Sequence, residues 1–224
     1  MPDSPQPCDR PTPGPVMIAL IAALLASIGD FGLLYIGQQA GDPTLGWPAL
    51  PSGALAVSQW LGAFTIPLYA VGYISLSRGL LGPGRAIVYW LGLYTSALGG
   101  VIHAVTAIVI SVSPVDATQS ADAFSFDPQI LPYLVPFVLV TAIGLLMASV
   151  AWSIAVLRRE SAFPRWLGIL NPLTCILLVL FAGLPFPLGR LFVVPMAPNI
   201  GGLLFFAAAL IVVRRARLTA IDRH

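Results

Sequence analysis

From Val16 onward the chain repeats one pattern: a long apolar run, then a short polar connection. The apolar runs are approximately Val16–Ile36, Ala54–Leu76, Ala86–Ser113, Leu131–Leu157, Trp166–Gly183 and Asn199–Val213. A hydrocarbon core of ~30 Å takes ~20 helical residues at 1.5 Å each, so each run is near or above crossing length. The last is marginal, and its arginine-rich end lengthens it by snorkelling. The predicted fold is therefore all-α, a polytopic bundle of six transmembrane helices. Charge supports the same solvent: only 9% of residues are charged, against about 25% in soluble domains, too few to cover a water-facing surface.

Residues 1–15 contain six prolines and few apolar side chains, and read as a disordered, polyproline-like tail. The sequence divides into that tail, a six-helix domain over 16–213, and a basic tail over 214–224. The first apolar run is too long for a signal-peptide core, and only Arg10 precedes it. It reads as a retained membrane helix.

Arginine fixes the orientation. There is no lysine, and ten of the eleven arginines lie in alternate connections: Arg10, then Arg78 and Arg85, then Arg158, Arg159 and Arg165, then Arg214, Arg215, Arg217 and Arg223. The other connections hold only Arg190 and carry Asp42, Asp116, Asp122 and Asp127. The positive-inside rule puts both termini in the cytoplasm, with the protein a multi-pass component of a bacterial cytoplasmic membrane. Trp47, Trp60, Tyr89, Trp90 and Trp166 sit where aromatic belts are expected.

Several function classes are excluded or unsupported. No basic cluster is interleaved with aromatics, so nucleic acid is not an expected partner. Cys8 and Cys175 offer no metal spacing, and no metal or other cofactor is expected. There is no nucleophile elbow, HExxH or glycine-rich phosphate loop. The expected partners are membrane lipids and an amphipathic small molecule, and an oligomer is compatible with the sequence.

Asp30, in Ile28-Gly29-Asp30-Phe31-Gly32, is the acidic residue that falls inside an apolar run. An intramembrane carboxylate costs ~2.5–3.5 kcal/mol on insertion scales, so it should face the bundle interior or water. Helical spacing names its neighbours. Gly92, Ser96, Gly99, His103 and Thr106 share one face of the third run, and Gln59, Gly62, Ile66, Tyr69 and Tyr73 share one face of the second. Ser27 joins Asp30 and Leu34 in the first, and Asn199, Gly202 and Phe206 align in the last. Pro67 should kink the second run. Asn171-Pro172 reads as a kink in the fifth. Given the orientation, Asp30 and His103 lie ~21 and ~25 Å along their helices. Gln59 and Asn199 open theirs from the other side, so all four converge on the outer half. Asp30 and His103 are the candidate acid/base pair, with Gln59, Tyr69, Arg190 and Asn199 as candidate substrate-binding residues. The bland alternatives stand beside this: a hydrogen-bonding aspartate between helices, a packing histidine, packing tyrosines, and amides that glue helices.

Leu184–Pro198 is apolar and proline-rich around Arg190. It reads either as a re-entrant cap over a pocket or as an interfacial loop.

With Gly29-Asp30 in the first run, His103 in the third and Pro198-Asn199 opening the last, the chain resembles a family of small bacterial integral membrane proteins catalogued as a domain of unknown function. The resemblance spans nearly the whole chain outside the proline-rich tail. It implies about six helices, brings no established activity, and marks Asp30, His103 and Asn199. In size and hydropathy the chain also resembles membrane-bound terpene cyclases. Their intramembrane glutamate has no counterpart, because the lone glutamate here is Glu160, in an arginine-rich connection. The functions in contention are a membrane-embedded enzyme or lipid-binding protein, a small proton-linked transporter subunit, and a structural or accessory membrane protein.

Overall fold

The computed structural model describes residues 10–41, 52–112, 131–189, 193–194 and 196–221. The tail through residue 9, the connections 42–51 and 113–130 with their aspartates and Trp47, the segment 190–192 with Arg190, Pro195 and residues 222–224 lie outside the described residues. So does the side chain of Leu34.

The described elements are helices: α1 (Pro13–Gly41), α2 (Ser52–Thr65), a 3-10 turn (Ile66–Leu68), α3 (Tyr69–Ser77), α4 (Gly82–Val112), α5 (Leu131–Leu157), α6 (Arg165–Ile169), α7 (Pro172–Gly183) and α8 (Ala197–Ile221). Proline places several of their starts. Pro13 and Pro15 open α1, Pro83 opens α4 and Pro198 opens α8, first-turn positions where a backbone N–H has no helical partner to lose. That is why α1 begins upstream of Val16, inside the stretch that composition alone assigns to the tail. At the other end α8 runs on to Ile221, so the basic segment after Val213 continues the helix.

Among the described residues, five stretches are long and apolar enough to cross a membrane: Pro13–Gly32, Ala56–Ser77, Gly82–Ile108, Leu134–Leu157 and Ala197–Leu218. Their outward faces are apolar; on α5, Phe137, Leu139, Ile143 and Met147 are all exposed. Helices of this length and composition are consistent with a membrane protein. The expected Trp166–Gly183 helix is instead two pieces. α7 has 12 residues, about 18 Å of helix, short of a ~30 Å core by itself. Pro172 is the cause: it lacks an N–H and its ring excludes the carbonyl four residues earlier. Leu170 and Asn171 leave the helical region, and Asn171 caps α7 by accepting from the Thr174 N–H at 2.8 Å. The carbonyls this break sets free are taken by α5. Trp152 Nε1 donates to the Leu167 carbonyl at 2.9 Å and Ser153 Oγ to that of Gly168 at 2.7 Å. Ser149 Oγ accepts from the Leu173 N–H at 3.2 Å. A broken helix in apolar surroundings needs such partners.

The α2–α3 unit packs antiparallel on α4 in a regular register. A Cβ placed on Gly92 would meet Tyr73, one on Gly99 would meet Ile66, and one on Gly62 would meet His103. As the number rises on α4 it falls on α2–α3. The two sequence-predicted faces are therefore each other's partner, and small residues bring the backbones close. Pro67 converts one turn to 3-10 geometry between α2 and α3, and its ring packs at Gly100.

One end of the bundle gathers the arginine-bearing segments. Leu81 N–H donates to the Glu160 carbonyl and Ala162 N–H to the Gly79 carbonyl, both at 2.8 Å. These bonds join the α3–α4 connection to the α5–α6 connection. Thr12 N–H donates to Ser75 Oγ at 3.1 Å, holding the start of α1 there too. The start of α1 also lines a cleft with Arg214 and Arg217. The core lies just above: Trp152, Phe163, Phe205, Phe206, Tyr73 and Leu76 are buried together with Ala19, Ala22, Ala23 and Ala26 of α1.

Candidate functional site

α1 and α8 lie side by side and run antiparallel: the start of one meets the end of the other in the basic cleft, and the far ends meet at Asp30 and Asn199. Two glycines let Asp30 approach its neighbours. A Cβ on Gly29 would come within 2.7 Å of the Ser58 carbonyl, and one on Gly32 within 2.5 Å of Ser58 Oγ. The glycines flanking the carboxylate thus seat α1 directly on α2, a function the sequence did not disclose because Ser58 carries no pattern of its own.

The carboxylate is held from α8. Asn199 Nδ2 donates to Asp30 Oδ2 at 2.6 Å, and Tyr69 Oη donates to Asn199 Oδ1 at 2.7 Å. Asn199 therefore uses both ends of its amide, joining three helices through one side chain. His103 Nε2 stands 4.0 Å from Asp30 Oδ1. That is within charge range and beyond hydrogen-bond reach. The imidazole lies on Gly62, and its Nδ1 is buried without a hydrogen-bond partner among the described residues. Gln59, one turn away from Gly62 on the same face of α2, has its Nε2 in the same condition. Asn199, Gln59 and Tyr69 are buried, whereas the side chains of Asp30 and His103 keep 15% and 17% of their surface exposed. The carboxylate and the imidazole are thus the least covered members of the group.

Asp30, His103, Gln59 and Asn199 lie in the half of the bundle away from the basic end, and Tyr69 reaches them from mid-span through its hydroxyl. Asp30 is eleven residues from the end of α1, and Asn199 is in the first turn of α8. Gln59 is seven residues from the start of α2, and His103 is nine from the end of α4. From Pro13 to Asp30 the helix rises ~25 Å, so the polar centre sits that far from the basic end. Below it the interior is aromatic. Tyr69 packs edge-on to Phe206 with centroids 5.7 Å apart, Phe206 to Tyr73 at 5.2 Å, Tyr73 on Phe205 at 6.1 Å, and Phe205 against Trp152 at 5.4 Å. Asn171 lies beyond this layer, bonded to Ser153 Oγ at 3.0 Å, and is no part of the centre.

Of the residues expected from the sequence, the fold brings together Asp30, His103, Tyr69 and Asn199, with Gln59 one turn away. Arg190 is outside the described residues. Tyr69, whose apolar setting suggested packing, supplies a hydrogen bond as well. Among the described residues no group of three or more His, Cys, Asp and Glu is placed to hold a metal ion. A carboxylate and an imidazole facing each other 4.0 Å apart can exchange a proton with a hydroxyl or phosphate set between them.

A family of unknown function, DUF6796, matches residues 15–216. The chain belongs to that family. The DUF6796 match agrees with the resemblance drawn from Gly29-Asp30, His103 and Pro198-Asn199, and it takes in every residue of the polar centre. No curated protein and no solved structure matches the chain.

Proposed function

We propose that the chain crosses a bacterial cytoplasmic membrane six times with both termini in the cytoplasm, and that its polar centre receives the polar end of a lipid-like molecule from the extracytoplasmic half. α6 and α7 together make the fifth of the six crossings, since α6 starts at Arg165 and α7 leads away from that end. In this reading Asp30 and His103 act as acid and base on the ligand. Asn199 and Tyr69 orient the carboxylate, and Gln59 offers an amide donor.

The observation that carries the proposal is the one-sidedness of the centre. Its polar groups are gathered in the half of the bundle away from the basic end, with Asp30 and His103 its least covered members, while the interior on the basic side is filled by the Tyr69–Phe206–Tyr73–Phe205–Trp152 layer. A proton-linked transporter needs polar access from both sides in turn, and this aromatic layer counts against that alternative. The exposed Leu184, Phe186 and Leu188 favour an interfacial loop beside the site rather than a re-entrant cap over it.

The test is native mass spectrometry with lipid analysis of the wild type, Asp30→Asn and His103→Ala, all purified in the same way. The expected result is a bound amphipathic molecule in the wild type that is lost or converted differently in the variants. Identical lipid content and an unchanged phenotype in both variants would leave only a structural role for the pair.

A further inference from the structure

At the opposite end of the α1–α8 pair is an open cleft of about 650 Å³, lined by Pro13, Gly14, Met17, Arg214, Arg217 and Leu218. That lies within the ~300–1,000 Å³ span of small-molecule sites. Arg214 and Arg217 are three residues apart and so project from one face of α8. Both are exposed, and among the described residues neither guanidinium has an acidic partner. The rest of the wall is apolar, and Gly14 leaves it open: a Cβ there meets nothing within 4 Å. Leu218 is 61% exposed at the cleft, and Ile18 and Ile21 continue an exposed apolar track along α1.

We infer that this cleft is a binding site for an anionic phospholipid, with the phosphate between Arg214 and Arg217 and the glycerol and upper acyl chain against Met17 and Leu218. The two guanidiniums supply charge-assisted, fork-shaped donors for phosphate oxygens. The positive end of the α1 dipole adds to the same field. A free phosphate would use the arginines and nothing else. The apolar wall, and the apolar track leading from it, are what a lipid uses in addition. The inference rests on the membrane orientation proposed above, and not on any chemistry at Asp30.

The protein is reconstituted in nanodiscs of mixed phosphatidylglycerol and phosphatidylcholine, and the lipid retained per chain is read by native mass spectrometry. The wild type should retain phosphatidylglycerol preferentially. Arg214→Gln with Arg217→Gln should lower that preference roughly twenty-five-fold, at roughly fivefold per basic side chain near an anionic surface. Gly14→Leu, which fills the cleft without changing charge, should lower it as well. Arg158→Gln, outside the cleft, should leave it unchanged. An equal loss in Arg158→Gln would reduce the effect to general surface charge and overturn the site. So would full retention in Gly14→Leu, or displacement of the lipid by millimolar inorganic phosphate. If the double arginine variant does not fold, as judged by circular dichroism and gel filtration, Gly14→Leu decides the matter alone. Asp30→Asn is predicted to keep the phosphatidylglycerol, which separates this result from the test of the polar centre.

Discussion

Asn199 is the side chain on which the polar centre depends, and its removal has a signature that packing alone would not give. In Asn199→Ala the Asp30 carboxylate loses its 2.6 Å donor and the Tyr69 hydroxyl loses its 2.7 Å acceptor. A hydrogen bond to a charged group contributes about 1.5–3 kcal/mol and a neutral one about 0.5–1.5 kcal/mol. In membrane helices measured bonds average nearer 0.6 kcal/mol, because the separated helices find other partners. The expected loss for Asn199→Ala is therefore about 2–3 kcal/mol, and for Tyr69→Phe about 0.5–1 kcal/mol. The two are not independent. Once Asn199 is gone the tyrosine hydroxyl has no acceptor, so removing it costs nothing further. The double variant should match Asn199→Ala to within about 0.5 kcal/mol, a coupling that a double-mutant cycle isolates. The assay is reversible unfolding in mixed micelles with helicity as readout, repeated on each single variant and the pair. Additive losses would refute the shared-amide geometry. A Tyr69→Phe loss as large as that of Asn199→Ala would place the energy in the tyrosine hydroxyl's bond rather than in the bond from Asn199 to Asp30.

Other sites give equally definite expectations. Gly62→Val puts a branched side chain where the His103 ring lies, and should cost about 1–3 kcal/mol by overpacking; adding His103→Ala should recover part of that, measured by the same unfolding. Asn171→Ala removes the cap from the Thr174 N–H and should cost about 1 kcal/mol, with increased amide exchange confined to the first turn of α7. In a background lacking Cys8 and Cys175, Ser161→Cys should react with an impermeant thiol reagent only from the cytoplasmic side of oriented vesicles; labelling from the outside would overturn the proposed topology.

Much of this arrangement could be read from spacing. The α4 face of Gly92, Ser96, Gly99, His103 and Thr106 and the α2–α3 face of Gln59, Gly62, Ile66, Tyr69 and Tyr73 are legible because small and polar residues recur with the period of a helix. Arginine placement foretold which connections gather at one end, and the hydrogen bonds between residues 79–81 and 160–162 are consistent with it. What stayed hidden was pairing across long sequence separations. Nothing in α5 announces that Ser149, Trp152 and Ser153 serve the break at Leu170–Asn171, because a buried serine or tryptophan reads as packing until its partner is located. The break itself was signalled by Pro172, but hydropathy joined the two pieces into one apolar run. Ser58 was invisible for the same reason as Ser149.

The residues of the polar centre also explain why the ends of the chain matter to it. Asp30 and Asn199 are 169 positions apart, on the first and last long helices. α2, α3 and α4 can pack through their own glycine register, placing Gln59, Tyr69 and His103, without either of them. The carboxylate and its amide partner arrive only when α1 and α8 close against that unit. The Ala19, Ala22, Ala23 and Ala26 face of α1 and the Phe205–Phe206 pair of α8 drive the closure by burial in the core. A mutation in that aromatic and alanine packing, ~6–17 Å from Asp30 or Asn199 along their helices, should therefore loosen the Asp30–Asn199 bond without touching it. The effect should spare the contact of His103 with Gly62 between α4 and α2, which lies away from that packing. Stability of the core and order at the polar centre are thus linked through one antiparallel helix pair.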